Sequence, residues 1–153
     1  MNAIDRNAVK IRRMVHSDIN PILGIWWYDI PEQDKKRLAS QLGGPLDLSF
    51  IAEFGGHLVG FILARLAYLG LPMTGVAVIH NIAVKPEYQD QGIGTLLVER
   101  LESHCTTEGI ETMRALVPQH KTKLLKYVEE LGFCPSITIN FDKPCRSPNP
   151  PKG

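Results

Sequence analysis

The chain has 153 residues, enough for one domain with a full core, and its 44% hydrophobic and 22% charged content is that of a soluble globular protein. The 17 Lys and Arg against 16 Asp and Glu leave a net charge of +1, which gives no argument for a nucleic-acid partner or an anionic membrane. Arg65, His80 and Asn81 interrupt every apolar run before it can span a bilayer, and MNAIDRNAVKIRR lacks the apolar core of a signal peptide, so a cytoplasmic protein is expected.

Residues 1–8 read as an N-terminal extension. Val9, Ile11 and Met14 suggest a short edge strand among Lys10, Arg12 and Arg13. Ser17 is a suitable N-cap for a first helix carrying Ile19, Ile22, Leu23 and Trp26, which should end near Asp29, before Pro31. Glu32 to Leu42 reads as a second helix with a thin apolar side, closed by Gly43-Gly44-Pro45. Leu48 to Phe54 and His57 to Leu66 flank Gly55-Gly56 as a hairpin. Val76 to Val84 is almost continuously apolar, the pattern of a strand buried on both faces.

Gly92 to Glu108 is an amphipathic helix with Ile93, Leu97, Leu101 and Cys105 on one stripe and Gly109 at its end. Thr112 to Val117 is a strand, and Lys121 to Leu131 a helix with Leu124, Val128 and Leu131 inward. Ile137, Ile139 and Phe141 alternate, so Ser136 to Phe141 is expected to be a last strand. The domain is placed at 9–142, and the proline-rich 143–153 as a mobile tail. Two strand–helix–strand passages imply some parallel pairing, and the first half is antiparallel. An α/β fold follows, with a mixed, mostly antiparallel central sheet and helices on both faces. Cys105, Cys134 and Cys145 are odd in number and have no CxxC or Cys/His spacing. Free thiols are expected, and no metal site.

The stretch with chemical content is Val84 to Thr95, VKPEYQDQGIGT: the end of an apolar strand, a polar turn, and two glycines where a helix begins. Glycine lets backbone approach a ligand closely, and the first helical turn has unpaired N–H groups at the positive end of the macrodipole. Such a place suits a phosphate or pyrophosphate. No lysine follows Gly94, and Gln89 stands where a dinucleotide fingerprint has its first glycine, so neither of those loops is present.

Gln89-Asp90-Gln91-Gly92-Ile93-Gly94 fits Q/R-x-x-G-x-G/A, and in this the sequence resembles the GNAT superfamily of acyl-CoA N-acyltransferases. Ile82 to Tyr88, the Ile51-Ala52-Glu53 to Gly60-Phe61-Ile62 hairpin and Leu131-Gly132-Phe133 match the same family in order, so the likeness covers roughly Val9 to Phe141. The resemblance implies a fold in which two adjacent parallel strands splay and acyl-CoA lies in the gap. Acetyl-CoA is then the acyl donor. Ile82, Ala83 and Val84 offer backbone to the pantetheine arm, and Gln89, Asp90, Gln91, Gly92, Ile93, Gly94 and Thr95 form the pyrophosphate loop. Family members often close with a hairpin after Gly-Phe. This chain has room for one strand, so a homodimer partner is a candidate source of the missing wall.

Catalytic side chains are less legible. Family members often place a tyrosine four residues before the glycine of Leu-Gly-Phe; here that position is Val128, and Tyr127 is one residue earlier. Tyr127 is therefore either the acid to the leaving thiolate or a half-buried structural tyrosine. The glutamate base of protein N-terminal acetyltransferases falls on Leu116. His80, on the strand before the loop, matches one of the two histidines of the arylalkylamine acetyltransferases, the other falling on Val78. It is a candidate base or a core histidine. Lys121, where the family commonly has an asparagine, can pair with a phosphate or simply face solvent. Trp27 and Asp29, beside Trp26 and Tyr28, suit a cationic or aromatic amine on the acceptor side. The expected activity is acetylation of a small-molecule primary amine. A peptide N-terminus as acceptor and a non-catalytic acyl-CoA sensor are the competing readings.

Overall fold

The computed structural model describes residues 3–25, 31–70 and 73–146. Its centre is a five-stranded sheet in the order β1-β2-β3-β4-β5, with β1 Lys10–Arg13, β2 Phe50–Phe54, β3 His57–Leu69, β4 Thr74–Val84 and β5 Thr112–Ala115. The first three pairings are antiparallel, and β4 with β5 is parallel. Gly55 and Gly56 both have positive φ, +58° and +78°, which matches the turn twist to that of the flanking strands in the β2–β3 hairpin.

Each sheet face has its own core. On one, α1 (Ile19–Leu23) and α2 (Glu32–Gln41) cover Ile51, Phe61 and Leu63, with Ile22, Ile25 and Leu42 buried between them. On the other, α3 (Ile93–Thr107) buries Ile93, Leu97, Leu101 and Cys105 against Phe50, Ala52, Ile62 and Ile79, the stripe expected from the sequence. The fourth helix, α4 (Thr122–Glu130), is half-buried along Leu124, Leu125, Tyr127 and Val128, and Leu131 packs on the α3-side core.

Several expectations change. Ser17 does not cap the first helix: it lies inside a 3-10 turn, His16–Asp18, and Asp18 ties that turn by accepting from the Val15 N–H at 2.8 Å. The first helix ends at Leu23, and Trp26, Trp27, Tyr28 and Asp29 lie outside the described residues. The strand expected at Ser136–Phe141 does not form, and Ile137 and Phe141 are 101% and 92% exposed. Pro135 cannot donate to a ladder, and the Ser136 hydroxyl accepts from the Thr138 N–H at 3.1 Å, a local bond that competes with strand pairing. The second parallel passage is therefore absent.

The expectation that β4 is buried on both faces holds only for part of its length. Val76, Ala77 and Ile79 are buried, His80 is exposed, and Asn81, Ile82 and Ala83 are half-buried. The cause is length. The β5 strand pairs with Val76 to Ile79 and stops at Ala115, while β4 runs five residues further. The sheet is split there, and among the described residues no strand pairs with the far end of β4 on that side.

Candidate acyl-donor and acceptor sites

The split opens a groove of about 450 Å³ between the end of β4, the start of α3 and the last turns of α4. Ile82, Ala83, Val84, Gln89, Asp90, Gly92, Ile93, Gly94, Thr95 and Tyr127 line it together, so ten of the residues singled out from sequence meet in one place. Tyr88, Glu130 and Leu131 line it as well and were not named as site residues. Gln91 faces elsewhere: its side-chain oxygen accepts from the Ile4 N–H at 2.9 Å. Lys121 is the exposed N-cap residue of α4, outside the groove lining.

The turn that ends β4 is held by its own side chains. Gln89 donates its amide N–H to the Val84 carbonyl at 2.9 Å, closing the loop across the 3-10 turn Pro86–Tyr88. Asp90 and Gly92 both have left-handed backbone, with φ of +61° and +85°. Aspartate tolerates that conformation; at Gly92, as N-cap of α3, only glycine does so at no steric cost. Helix geometry leaves the N–H groups of Ile93, Gly94 and Thr95 without a carbonyl in the preceding turn. Among the described residues no side-chain cap bonds to them. A cradle of N–H groups at the positive end of a 15-residue helix results.

Tyr127 closes the groove from above. A Cβ at Gly94 would collide with its hydroxyl, so the glycine is what lets α4 approach α3. Burial, with the nearby negative charges of Asp90 and Glu130, pushes the Tyr127 phenol above its ordinary 10.0. It is a neutral hydrogen-bond donor across the physiological range.

His80 is not in this groove. Residues 63 and 64 of β3 pair with Asn81 and Ile79, so His80 is the extra residue of a β-bulge. The bulge switches the alternation of β4: Ile79 before it and Ile82 after it both pack on the α3 side. His80 lines a second cavity of about 180 Å³ under α2, with Leu23, Leu38, Leu42, Asp34 and Asp47 in its wall. Both carboxylates are engaged. Asp34 accepts from Arg37 at 2.9 Å, and Asp47 accepts from the N–H groups of Gly43 and Ser49 at 3.0 and 3.1 Å. Among the described residues no group of His, Cys, Asp and Glu is arranged to hold a metal ion.

The sequence profile of the acetyltransferase (GNAT) family matches residues 13–133. Solved structures with the same fold include the aminoglycoside 6'-N-acetyltransferase AAC(6')-Ih from Acinetobacter baumannii, at 18% identity and a TM-score of 0.79, covering 91% of this chain and 99% of that one. AAC(6')-Iy, solved with a bisubstrate analogue, CoA-S-monomethyl-acetylneamine, is 22% identical with a TM-score of 0.76, covering 90% and 99%. A possible acetyltransferase from Clostridium difficile 630 is 15% identical with a TM-score of 0.78, covering 92% and 99%. At these identities the likeness speaks for the fold.

Proposed function

Because the chain belongs to the GNAT family of acetyltransferases, we propose that it transfers the acetyl group of acetyl-CoA to a primary amine of a small molecule by direct attack. The observation that carries the proposal is a single groove that joins the unpaired end of β4 to the N–H cradle of α3. Ile82, Ala83 and Val84 offer strand backbone to an extended amide-bearing arm, and Gly92 to Thr95 offer N–H groups to its phosphates. Gln91 acts by fixing the loop through Ile4 rather than by touching the donor.

In this reading the acceptor occupies the cavity under α2, and Trp27 and Asp29 are kept from the sequence as proposed acceptor-recognition residues. His80 stands on the same strand as the donor groove, at its bulge. An alkylammonium like that of lysine titrates near 10.4, so a base must take its proton before the nitrogen can attack. His80 serves as that base. The amine nitrogen bonds to the thioester carbonyl carbon, the carbon–sulfur bond breaks, and the leaving thiolate takes up the proton that the nitrogen sheds as the amide forms. Tyr127 is proposed to donate a hydrogen bond in the groove rather than to surrender its proton. A phenol held above 10 is a poor acid toward a thiolate whose thiol titrates near 8.5. Lys121 is left to screen phosphate charge from outside the groove.

The aminoglycoside acetyltransferases among the structural neighbours support a small molecule over a peptide N-terminus as acceptor. The test is mass-spectrometric detection of acetylated product from acetyl-CoA and a panel of primary amines, with aminoglycosides and a free peptide N-terminus included. Acetylation of the small amines is expected. Tight acetyl-CoA binding with no acetylated product in any mixture would instead mark a sensor of acyl-CoA.

A further inference from the structure

Resting on that placement of the donor, the structure assigns to Arg6 the role of phosphate ligand: a cation brought by the N-terminal segment to the rim of the loop, for the pyrophosphate of CoA. The groove lining holds two acids, Asp90 and Glu130, and neither lysine nor arginine. Within that lining only unpaired N–H groups are there to hold a doubly charged pyrophosphate beside two carboxylates. The missing cation comes from 86 positions earlier in the chain. The guanidinium of Arg6 lies over Gly92, its Nε and Cζ 3.2 and 3.4 Å from where a Cβ on that glycine would sit.

The position is built. Asp5 accepts from the Asn7 N–H at 2.9 Å and starts a 3-10 turn over Arg6–Ala8. Ile4 packs on the α3-side core, and its N–H is held by Gln91. The segment is thereby tied to the same loop whose ligand it would share. The existing partner of Arg6 is Glu99, 4.0 Å away, with both side chains more than half exposed. Such a pair contributes little and can be given up for a phosphate, which accepts the arginine fork at two oxygens.

The experiment is calorimetric titration of CoA, 3'-dephospho-CoA and S-acetylpantetheine into wild type, Arg6→Ala and Arg6→Lys. Arg6→Ala is expected to weaken CoA and 3'-dephospho-CoA alike by about fivefold or more. S-acetylpantetheine, which lacks the pyrophosphate, should bind both proteins equally, and Arg6→Lys should recover part of the loss. Equal CoA affinity in wild type and Arg6→Ala would overturn the assignment while leaving the groove intact. So would a penalty seen with CoA but absent with 3'-dephospho-CoA, or one that extends to S-acetylpantetheine. A wild-type protein that binds none of the three would remove the donor site itself, and this assignment with it.

Discussion

Gly94 of α3 and Tyr127 of α4 are in contact, and that contact can be measured. Gly94→Ala puts a methyl against the Tyr127 hydroxyl and should cost about 1–3 kcal/mol of stability. With Tyr127→Phe the oxygen is gone, and alanine inside a helix is favoured over glycine by up to about 1 kcal/mol. In denaturant melts the double variant should therefore recover most of the loss, whereas equal costs in the two backgrounds would show that the hydroxyl is not there. From spacing, Tyr127 was legible as the acid to the leaving thiolate or as a structural tyrosine; its place in the groove lining and its raised pKa, from burial and the carboxylates of Asp90 and Glu130, depend on the fold. His80 presents the opposite case. Its place on the strand was legible, but the bulge that turns it away from the groove was not, because a bulge depends on β3. If His80 is the base, His80→Ala should lower kcat/KM by about 100-fold or more with CoA affinity unchanged. Retention of most of the rate would return His80 to a structural role.

At the scale of elements, two short segments show how local chemistry overrides pattern. Arg12 donates to both Asp18 oxygens, each at 2.8 Å, and to Glu53 at 2.9 Å, joining β1, the turn before α1 and β2. Burial pushes the Asp18 carboxyl up, but the Arg12 bond, the Val15 N–H and the Arg12 charge together hold it below its ordinary 3.8. A depressed carboxylate stabilises the fold above its unfolded pKa and loses that contribution as pH falls through the folded value. Asp18→Asn should thus cost about 1.5–3 kcal/mol at neutral pH, and the difference from wild type should shrink below pH 3.8. A gap that stays constant through acid would contradict the ion pair. The segment 136–141 is the other case. Its alternation is that of a strand, yet Ile137, Ile139 and Phe141 are exposed. Replacing all three with Ser should change stability by no more than about 0.5 kcal/mol per site. A loss of several kcal/mol would mean that the segment is packed in solution, on this chain or on a second copy.

At the scale of the molecule, the order of strands and helices as far as α4, and the loop, were legible because each rests on local signals: the Gly55-Gly56 turn, the Ile93 to Cys105 stripe, the Gln89 to Gly94 run. The split that makes the groove was not legible from pattern, since it comes from a difference in length between two strands separated by α3. Arg6 was not legible for the same reason: nothing near Arg6 in sequence points to Gly92. The central claim is that acetyl-CoA lies along the free end of β4 and against the start of α3. Amide hydrogen exchange, followed by mass spectrometry with and without saturating acetyl-CoA, tests it most directly. Slower exchange is expected at residues 81–84 and 92–95, with β1 and the β2–β3 hairpin turn unchanged. Saturable binding that leaves both of those stretches at their free rates would contradict the account.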